Sequence, residues 1–190
     1  VALRQDNLKR RLAYSTISQL SYIVLGVAIL TPNSFVGAAM YIAAHAFSKI
    51  TLFFAAGAIH TAAHFDKISE LDGIGRRMPW TMGAFTVGVL GMIGVPPAAT
   101  FLGKWFLLTG AMQSTNWLAV TVIVISTVLN ACYFLPIVYR AFFREPPADH
   151  PHGEAPWPMV LALTATAAGT IGIFFFSEIP FTLATLMMGR

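Results

Sequence analysis

From residue 13 onward the chain alternates long apolar runs with short polar clusters, and the runs lack the regular polar face that helices in water keep. The first run covers residues 13–30 and stops at Thr31-Pro32-Asn33-Ser34, a cluster of turn formers. The second, residues 35–64, is rich in small residues but contains His45, Lys49 and His60. A polar connection, residues 66–77, leads to a third stretch over residues 80–112, and two more follow at 117–143 and 157–188. Each reaches or approaches the ~20 residues needed to cross a bilayer, so the pattern predicts an all-α membrane protein.

The third stretch is interrupted by Gly94-Val95-Pro96-Pro97. Two prolines remove two backbone donors and break a helix interior, leaving two short passes or one discontinuous span. Charge placement favours the second, because Lys and Arg collect in the loops on one side of a membrane. With one broken span, the basic clusters at residues 9–11, 67–77 and 140–144 share a side, and the uncharged connections 31–34 and 113–116 share the other. Two passes would carry Arg140 and Arg144 across. The expectation is about five transmembrane helices, one of them discontinuous at residues 94–97, forming a single transmembrane unit over residues 1–190.

Composition agrees: 56% of residues are apolar and 11% charged, against roughly 25% charged in soluble domains. The net charge of +4 sits mostly in connections, which fits membrane topology and gives no footprint for nucleic acid. Cys132, the one cysteine, lies in an apolar run and is expected to be a packing residue. The basic N-terminal segment runs straight into an apolar helix without a small-residue cleavage pattern, so no cleavable leader is expected. Because the chain opens on Val1 rather than Met, a truncated or split product is expected.

Ionisable residues inside the runs demand a reason, since a charge at the bilayer centre costs at least ~2.5–3.5 kcal/mol on the insertion scale. Lys104, in Phe101-Leu102-Gly103-Lys104-Trp105-Phe106, is the first candidate. It either faces a hydrated cavity at the helix break, where it loses and regains a proton, or it snorkels to an interface. His45 and Lys49 are one turn apart on one helix face, as a proton relay or as a polar pair that glues neighbouring helices. His60 and His64 lie beside Asp66 and Lys67, where interfacial solvation is expected. Haem ligation would need an opposed histidine-bearing helix, and the sequence offers none to face this one.

His150-Pro151-His152-Gly153-Glu154 has no known metal-ligand spacing and reads as a solvated loop. Glu178 lies inside the last run or at a bend before Pro180, and Met187 and Met188 read as apolar fill. Nothing in the chain matches a nucleophile elbow, a phosphate loop, a CxxC pair or a carboxylate dyad, so no catalytic chemistry, cofactor or metal is expected.

The stretch Asp6-Asn7-Leu8-Lys9-Arg10-Arg11-Leu12-Ala13-Tyr14-Ser15-Thr16-Ile17-Ser18-Gln19 resembles the D-x-K-R-x-L-A-Y-S-S-I-S-Q/H segment of a family of antiporter-like membrane subunits. Respiratory complex I, membrane-bound hydrogenases and Mrp cation/proton antiporters share that family. His45-Ala46-Phe47-Ser48-Lys49-Ile50-Thr51-Leu52-Phe53 is similar to its H-A-x-x-K-x-x-L-F helix. Gly94-Val95-Pro96-Pro97 with Phe101-Leu102-Gly103-Lys104-Trp105 resembles its G-x-P-P and G-F-x-x-K-W/F element. The likeness covers essentially the whole chain but only the C-terminal part of a fold with two inverted repeats. The first repeat, with its glutamate and lysine pair, has no counterpart.

The resemblance implies proton translocation, or monovalent cation:proton antiport, by a subunit of an Mrp-type or NADH:quinone oxidoreductase-type assembly. It makes Lys104, Lys49, His45, Lys9 and Asp6 the residues of the proton or ion pathway, with Asp6 and Lys9 in an entry segment, His45 and Lys49 on the central hydrophilic axis, and Lys104 on the broken helix of the second half-channel. The implied partners are other membrane subunits, the lipid bilayer, and protons with Na+ or K+, in a prokaryotic cell membrane. Residues 71–79 and 130–136 look most like the D-type branch of the Mrp antiporters. The competing class is a structural or assembly subunit, or a non-transporting fragment, whose buried polar groups only join helices.

Overall fold

The computed structural model describes residues 1–146 and 153–187, and these are almost entirely helical. In chain order the helices are α1 (Leu8–Ile29), α2 (Pro32–Ala63), the short α3 (Ile74–Arg77), α4 (Pro79–Ile93), α5 (Thr100–Gln113), α6 (Trp117–Phe143), α7 (Trp157–Phe175) and α8 (Glu178–Leu186). Four of them, α1, α2, α6 and α7, are long and apolar enough to cross a membrane.

Local chemistry sets the ends. α1 starts at Leu8, ahead of the apolar run, because the Asn7 side chain accepts the Arg10 amide hydrogen at 3.0 Å and draws the basic residues into the first turn. The Thr31 to Ser34 cluster does more than stop α1. Thr31 and Ser34 hydroxyls cap each other's backbone amides, and Pro32 occupies the first helical position, so the breaker of one helix is the starter of the next. The last apolar run is not one helix but two: it bends after Phe175, with Glu178 in the first turn of α8.

Glycine contacts fix how the pieces run. A β-carbon at Gly110 would lie 2.6 Å from Ser34 N, one at Gly37 2.7 Å from Leu107 N, and one at Gly103 3.0 Å from Tyr41 Cα. Further along α2, Gly91 meets Ser48 and Gly88 meets Leu52. As positions rise along α2, their partners fall steadily through α5 and then α4. These two helices therefore run in the same direction against α2, and residues 94–99 interrupt one span instead of reversing the chain. Together with the four long helices, this gives five crossings, as the sequence led us to expect.

The other pairings complete the topology. Lys49 bonds to Leu12 and Tyr41 to Gln19, so α1 is antiparallel to α2. Thr51 meets Thr166, with Gly169 against Phe47, so α7 is antiparallel to α2 as well. Arg11 reaches Tyr133 and Tyr22 reaches Ile123, so α6 opposes α1. The three basic clusters thus share one end of the bundle, where Asp72 pairs with Arg140 at 3.0 Å and Arg144 at 3.3 Å. Cys132 does not pack as expected: it is exposed on α6, because Tyr133 and Phe134 take the inward positions of that turn.

Glycine at position 37 allows the close approach of α2 and α5, which gives a direct test. Gly37→Ala places a methyl group into the backbone of α5 and is expected to destabilise by about 1–3 kcal/mol. Gly83→Ala, which meets nothing within 4 Å, should leave stability unchanged or raise it by up to ~1 kcal/mol. Thermal unfolding in detergent reads both.

Candidate functional site

The break in the fourth span creates the first element of the site. Gly94 adopts a left-handed conformation, φ 85°, and ends α4, leaving its last carbonyls without helical donors. Lys104 fills that role: its Nζ donates to Ile93 O at 2.8 Å and to Met92 O at 3.3 Å. An ammonium suits this position because the C-terminal end of a helix carries partial negative charge. A β-carbon on Gly94 would stand 3.0 Å from Lys104 Cδ, so glycine serves both the turn and the lysine's path. Lys104 Nζ also lies 5.0 Å from the centre of the Tyr22 ring, a cation–π distance.

Lys49 makes the second element, one level nearer the basic end. Its Nζ donates to Leu12 O at 3.0 Å and Ser15 Oγ at 2.5 Å, tying α2 to α1. Both lysines, and His45, are only 7% exposed.

A polar line joins the two. Arg11, Ser15, Gln19 and Tyr22 are buried on a single face of α1, at spacings of four, four and three residues. Gln19 accepts a hydrogen bond from the Tyr41 hydroxyl, and the Tyr133 hydroxyl donates to Asn130 Oδ1. The Tyr41 ring stacks on His45 at 6.1 Å and tilts against Tyr22 at 5.6 Å. From Lys49 the line thus passes to its partner Ser15, then one turn along α1 to Gln19 and its partner Tyr41, with Tyr133 at its side; ring contacts lead on from Tyr41 to Tyr22 and from Tyr22 to Lys104. Along it, Gln19 Nε2, His45 Nε2 and Asn130 Nδ2 are buried without a protein partner. Each unmade bond costs roughly 1–3 kcal/mol, so three in one region make it costly to enclose.

Two further features frame the line. Lys104 borders a cleft of about 240 Å³ between α5 and α6, lined also by Phe101, Trp105, Thr127 and Val128, which has room for several waters at about 30 Å³ each. At the other end Arg11 donates to Gln5 O, Leu3 O and Tyr133 O. Pro136 lies inside α6 and interrupts its ladder beside that last carbonyl. No aspartate or glutamate is buried among the described residues, so the buried charges, Arg11, Lys49 and Lys104, are all cationic.

Of the residues singled out from the sequence, Lys104, Lys49 and His45 are all buried in the bundle, His45 and Lys49 on adjacent turns of α2 and Lys104 at the break. Asp6 and Lys9 instead form a clasp at the basic end. Asp6 accepts from the Ser69 amide and hydroxyl at 3.1 and 2.7 Å, while Lys9 and His60 both pair with Asp66, at 3.2 and 3.1 Å. His150 and His152 lie outside the described residues. Missed as a group were Arg11, Ser15, Gln19, Tyr22, Tyr41, Asn130 and Tyr133. The helical spacing of the four polar residues on α1 was the available signal.

A bundle of apolar helices with a discontinuous span, and a buried lysine bound to the carbonyls exposed at its break, defines a polytopic membrane protein with an intramembrane polar axis. The chain belongs to the family described as NADH:quinone oxidoreductase/Mrp antiporter, TM, whose model matches residues 1–130. It is 38% identical over 158 residues to NADH-quinone oxidoreductase subunit N of Desulforudis audaxviator, covering 83% of this chain and 32% of that protein. It is 34% identical over 188 residues to F(420)H(2) dehydrogenase subunit N of Methanosarcina mazei, covering 94% and 38%. The fold is that of a chain in the Mrp complex from Dietzia sp., with TM-score 0.90, 21% identity and coverage of 96% of this chain and 42% of that one. Respiratory complex I from Thermus thermophilus gives 0.78, 24%, 96% and 39%. The chain therefore spans between 32% and 38% of the length of these two curated relatives.

The clasp at the basic end is pH-sensitive with a defined sign. The hydrogen bond from Lys9, helped by His60, holds the Asp66 carboxyl below its ordinary value. Its contribution is therefore complete above the unfolded carboxylate range and lost as pH falls through the depressed value. The Leu8 amide, which bonds Asp66 O at 2.8 Å, should lose exchange protection on acidification. In Asp66→Asn that protection should be weaker and independent of pH over the same interval.

Proposed function

We propose that residues 1–190 act as one transmembrane unit, the C-terminal part of an antiporter-like subunit, and carry a segment of its proton path. Lys104 and Lys49 exchange protons along the line through Ser15, Gln19, Tyr41, Tyr133 and Tyr22, with His45 beside it. The supporting observation is the pair of buried lysines at the two ends of a row of buried polar side chains, linked by the Lys49–Ser15 and Tyr41–Gln19 hydrogen bonds and by ring contacts from Tyr41 through Tyr22 to Lys104. Such a line moves protons without covalent chemistry, each hydroxyl releasing one proton as it receives another. Asp6 and Lys9 act at the basic mouth, through the clasp they hold there.

The same electrostatics favour H+ over Na+ or K+ within this chain. Buried cationic groups repel a metal cation, and the carboxylates that would attract one are not buried among the described residues. Exchange against Na+ or K+ would draw its ligands from other segments or subunits. Other membrane subunits are the partners, and a prokaryotic cell membrane is the setting. For the branch we favour an N-type subunit of a quinone- or F420-linked dehydrogenase assembly over the D-type Mrp reading, because both curated relatives described above are N subunits. The Dietzia Mrp likeness, at 21% identity, speaks to the fold.

A structural reading has its own support, since Lys49 staples α2 to α1 and Lys104 staples α5 to α4 through backbone carbonyls. Proton-coupled transport in everted vesicles, with the native neighbouring subunits co-expressed, separates the two. Lys104→Ala and Lys49→Ala should each lower transport roughly 10²-fold while the complex still assembles, and Tyr41→Phe should lower it with both ring contacts kept. An assembly defect, or unchanged transport in an intact complex, would favour the structural reading.

A further inference from the structure

α4 has no cap of its own. Met78, which precedes it, offers no side-chain acceptor, and no residue of the helix is charged. The cap comes from 74 residues away in sequence: Glu154 Oε1 accepts the Trp80 amide at 2.7 Å and the Thr81 amide at 3.2 Å, while Oε2 accepts the Thr81 hydroxyl at 2.7 Å. Thr81 is fully buried and Ala155, next to Glu154, packs into the core, so the Thr81 half of this contact is enclosed while the Trp80 half lies at the surface.

The opposite end of α4 is the one that holds Lys104. A carboxylate therefore faces the amide end of the helix and an ammonium its carbonyl end, about 22 Å apart for a helix of this length. Both suit the helix dipole, and both consist of directional charge-assisted bonds. Along its flanks α4 sets its own Gly88 and Gly91 against Leu52, Ser48 and Thr170, and the Thr100 hydroxyl bonds the Gly91 carbonyl near the break, so the directional contacts described for α4 lie toward its two ends. Displacement of α4 along its axis breaks both end contacts together.

We infer that Glu154 is a positioning residue for Lys104: by pinning the start of α4 it sets where the Ile93 and Met92 carbonyls stand, and so holds the lysine at the break. Its consequence for transport rests on the proposed proton path, but the coupling itself does not. The test uses the full chain with its partner subunits in lipid nanodiscs and combines two measurements. Amide exchange reads the cap at Trp80 and Thr81. Labelling by a small membrane-permeant acylating reagent, quantified by mass spectrometry, reads Lys104 against Lys49.

In Glu154→Ala, exchange at Trp80 and Thr81 should quicken roughly ten-fold, in line with loss of a helix cap, and Lys104 labelling should rise several-fold while Lys49 stays unchanged. Glu154→Gln keeps an acceptor oxygen and should show a smaller rise, still selective for Lys104. Freed amides with unchanged Lys104 labelling would reduce Glu154 to a local cap and overturn the inference. Equal rises at both lysines would do so too, by showing general loosening. If Glu154→Ala fails to assemble, the selectivity seen in Glu154→Gln decides. Absence of transport in the parent protein would count against the proton path and leave the labelling result standing.

Discussion

The bond between the Lys104 ammonium and the carbonyls left open at the end of α4 is the contact on which the interior is organised. A helix that stops inside a membrane exposes acceptors that lipid cannot satisfy, and a lysine inside a membrane carries a charge that lipid cannot solvate. Each defect is tolerable because it meets the other. The meeting requires α5 to lie close to α2, which Gly37, Gly103 and Gly110 permit, and it requires a left-handed turn at Gly94 that leaves the lysine room. Close packing of backbones through small residues is the usual source of helix association where water supplies no hydrophobic drive. The break, the glycines and the lysine are thus one device distributed over three helices.

The polar line extends that device along α1. Its members pack between two apolar clusters, one around Leu12, Leu52 and Phe134 and the other around Ile29, Leu107 and Ile123. Enclosed in this way, hydroxyl and amide groups bond to each other because nothing else is available, and the low dielectric strengthens those bonds. The same enclosure makes the unpartnered nitrogens of Gln19, His45 and Asn130 costly. Their concentration along a single line is the feature that the proposed proton path draws on.

The architecture could be read from the sequence because lipid imposes coarse rules. Run length gave the spans, the double proline gave the break, and basic clustering chose one discontinuous span over two passes, as the glycine pairings between α2, α4 and α5 bear out. Lys104, Lys49 and His45 stood out because a charged or titratable group in an apolar run is conspicuous. Tyr22, Tyr41, Tyr133, Ser15 and Gln19 did not, since tyrosine and small polar residues are ordinary in membrane helices and only their side-chain directions show that they converge. The clasp of Asp6 with Ser69 and the cap of Glu154 on Thr81 join residues more than 60 positions apart, so no local pattern could reveal them.

The two ends of the bundle are built differently, and the difference follows from the same physics. At the basic end, ion pairs and backbone bonds knit the connections together: Asp66 to Lys9, Asp72 to Arg140 and Arg144, and Glu154 to the start of α4. At the uncharged end the turns are short and held by hydroxyl and amide caps from Thr31, Ser34 and Asn116. Exposed ion pairs contribute little stability singly, but here they join the Glu154 cap in tying the starts of α1, α4 and α7 and the end of α6 into the same end of the bundle. α1 and α4 start from this fixed end, and each carries part of the site some distance along its length: Ser15, Gln19 and Tyr22 on one, the Ile93 carbonyl on the other. Anchoring their starts therefore sets the depth at which the polar groups meet. Register at the membrane surface is converted by two rigid helices into register at the lysines.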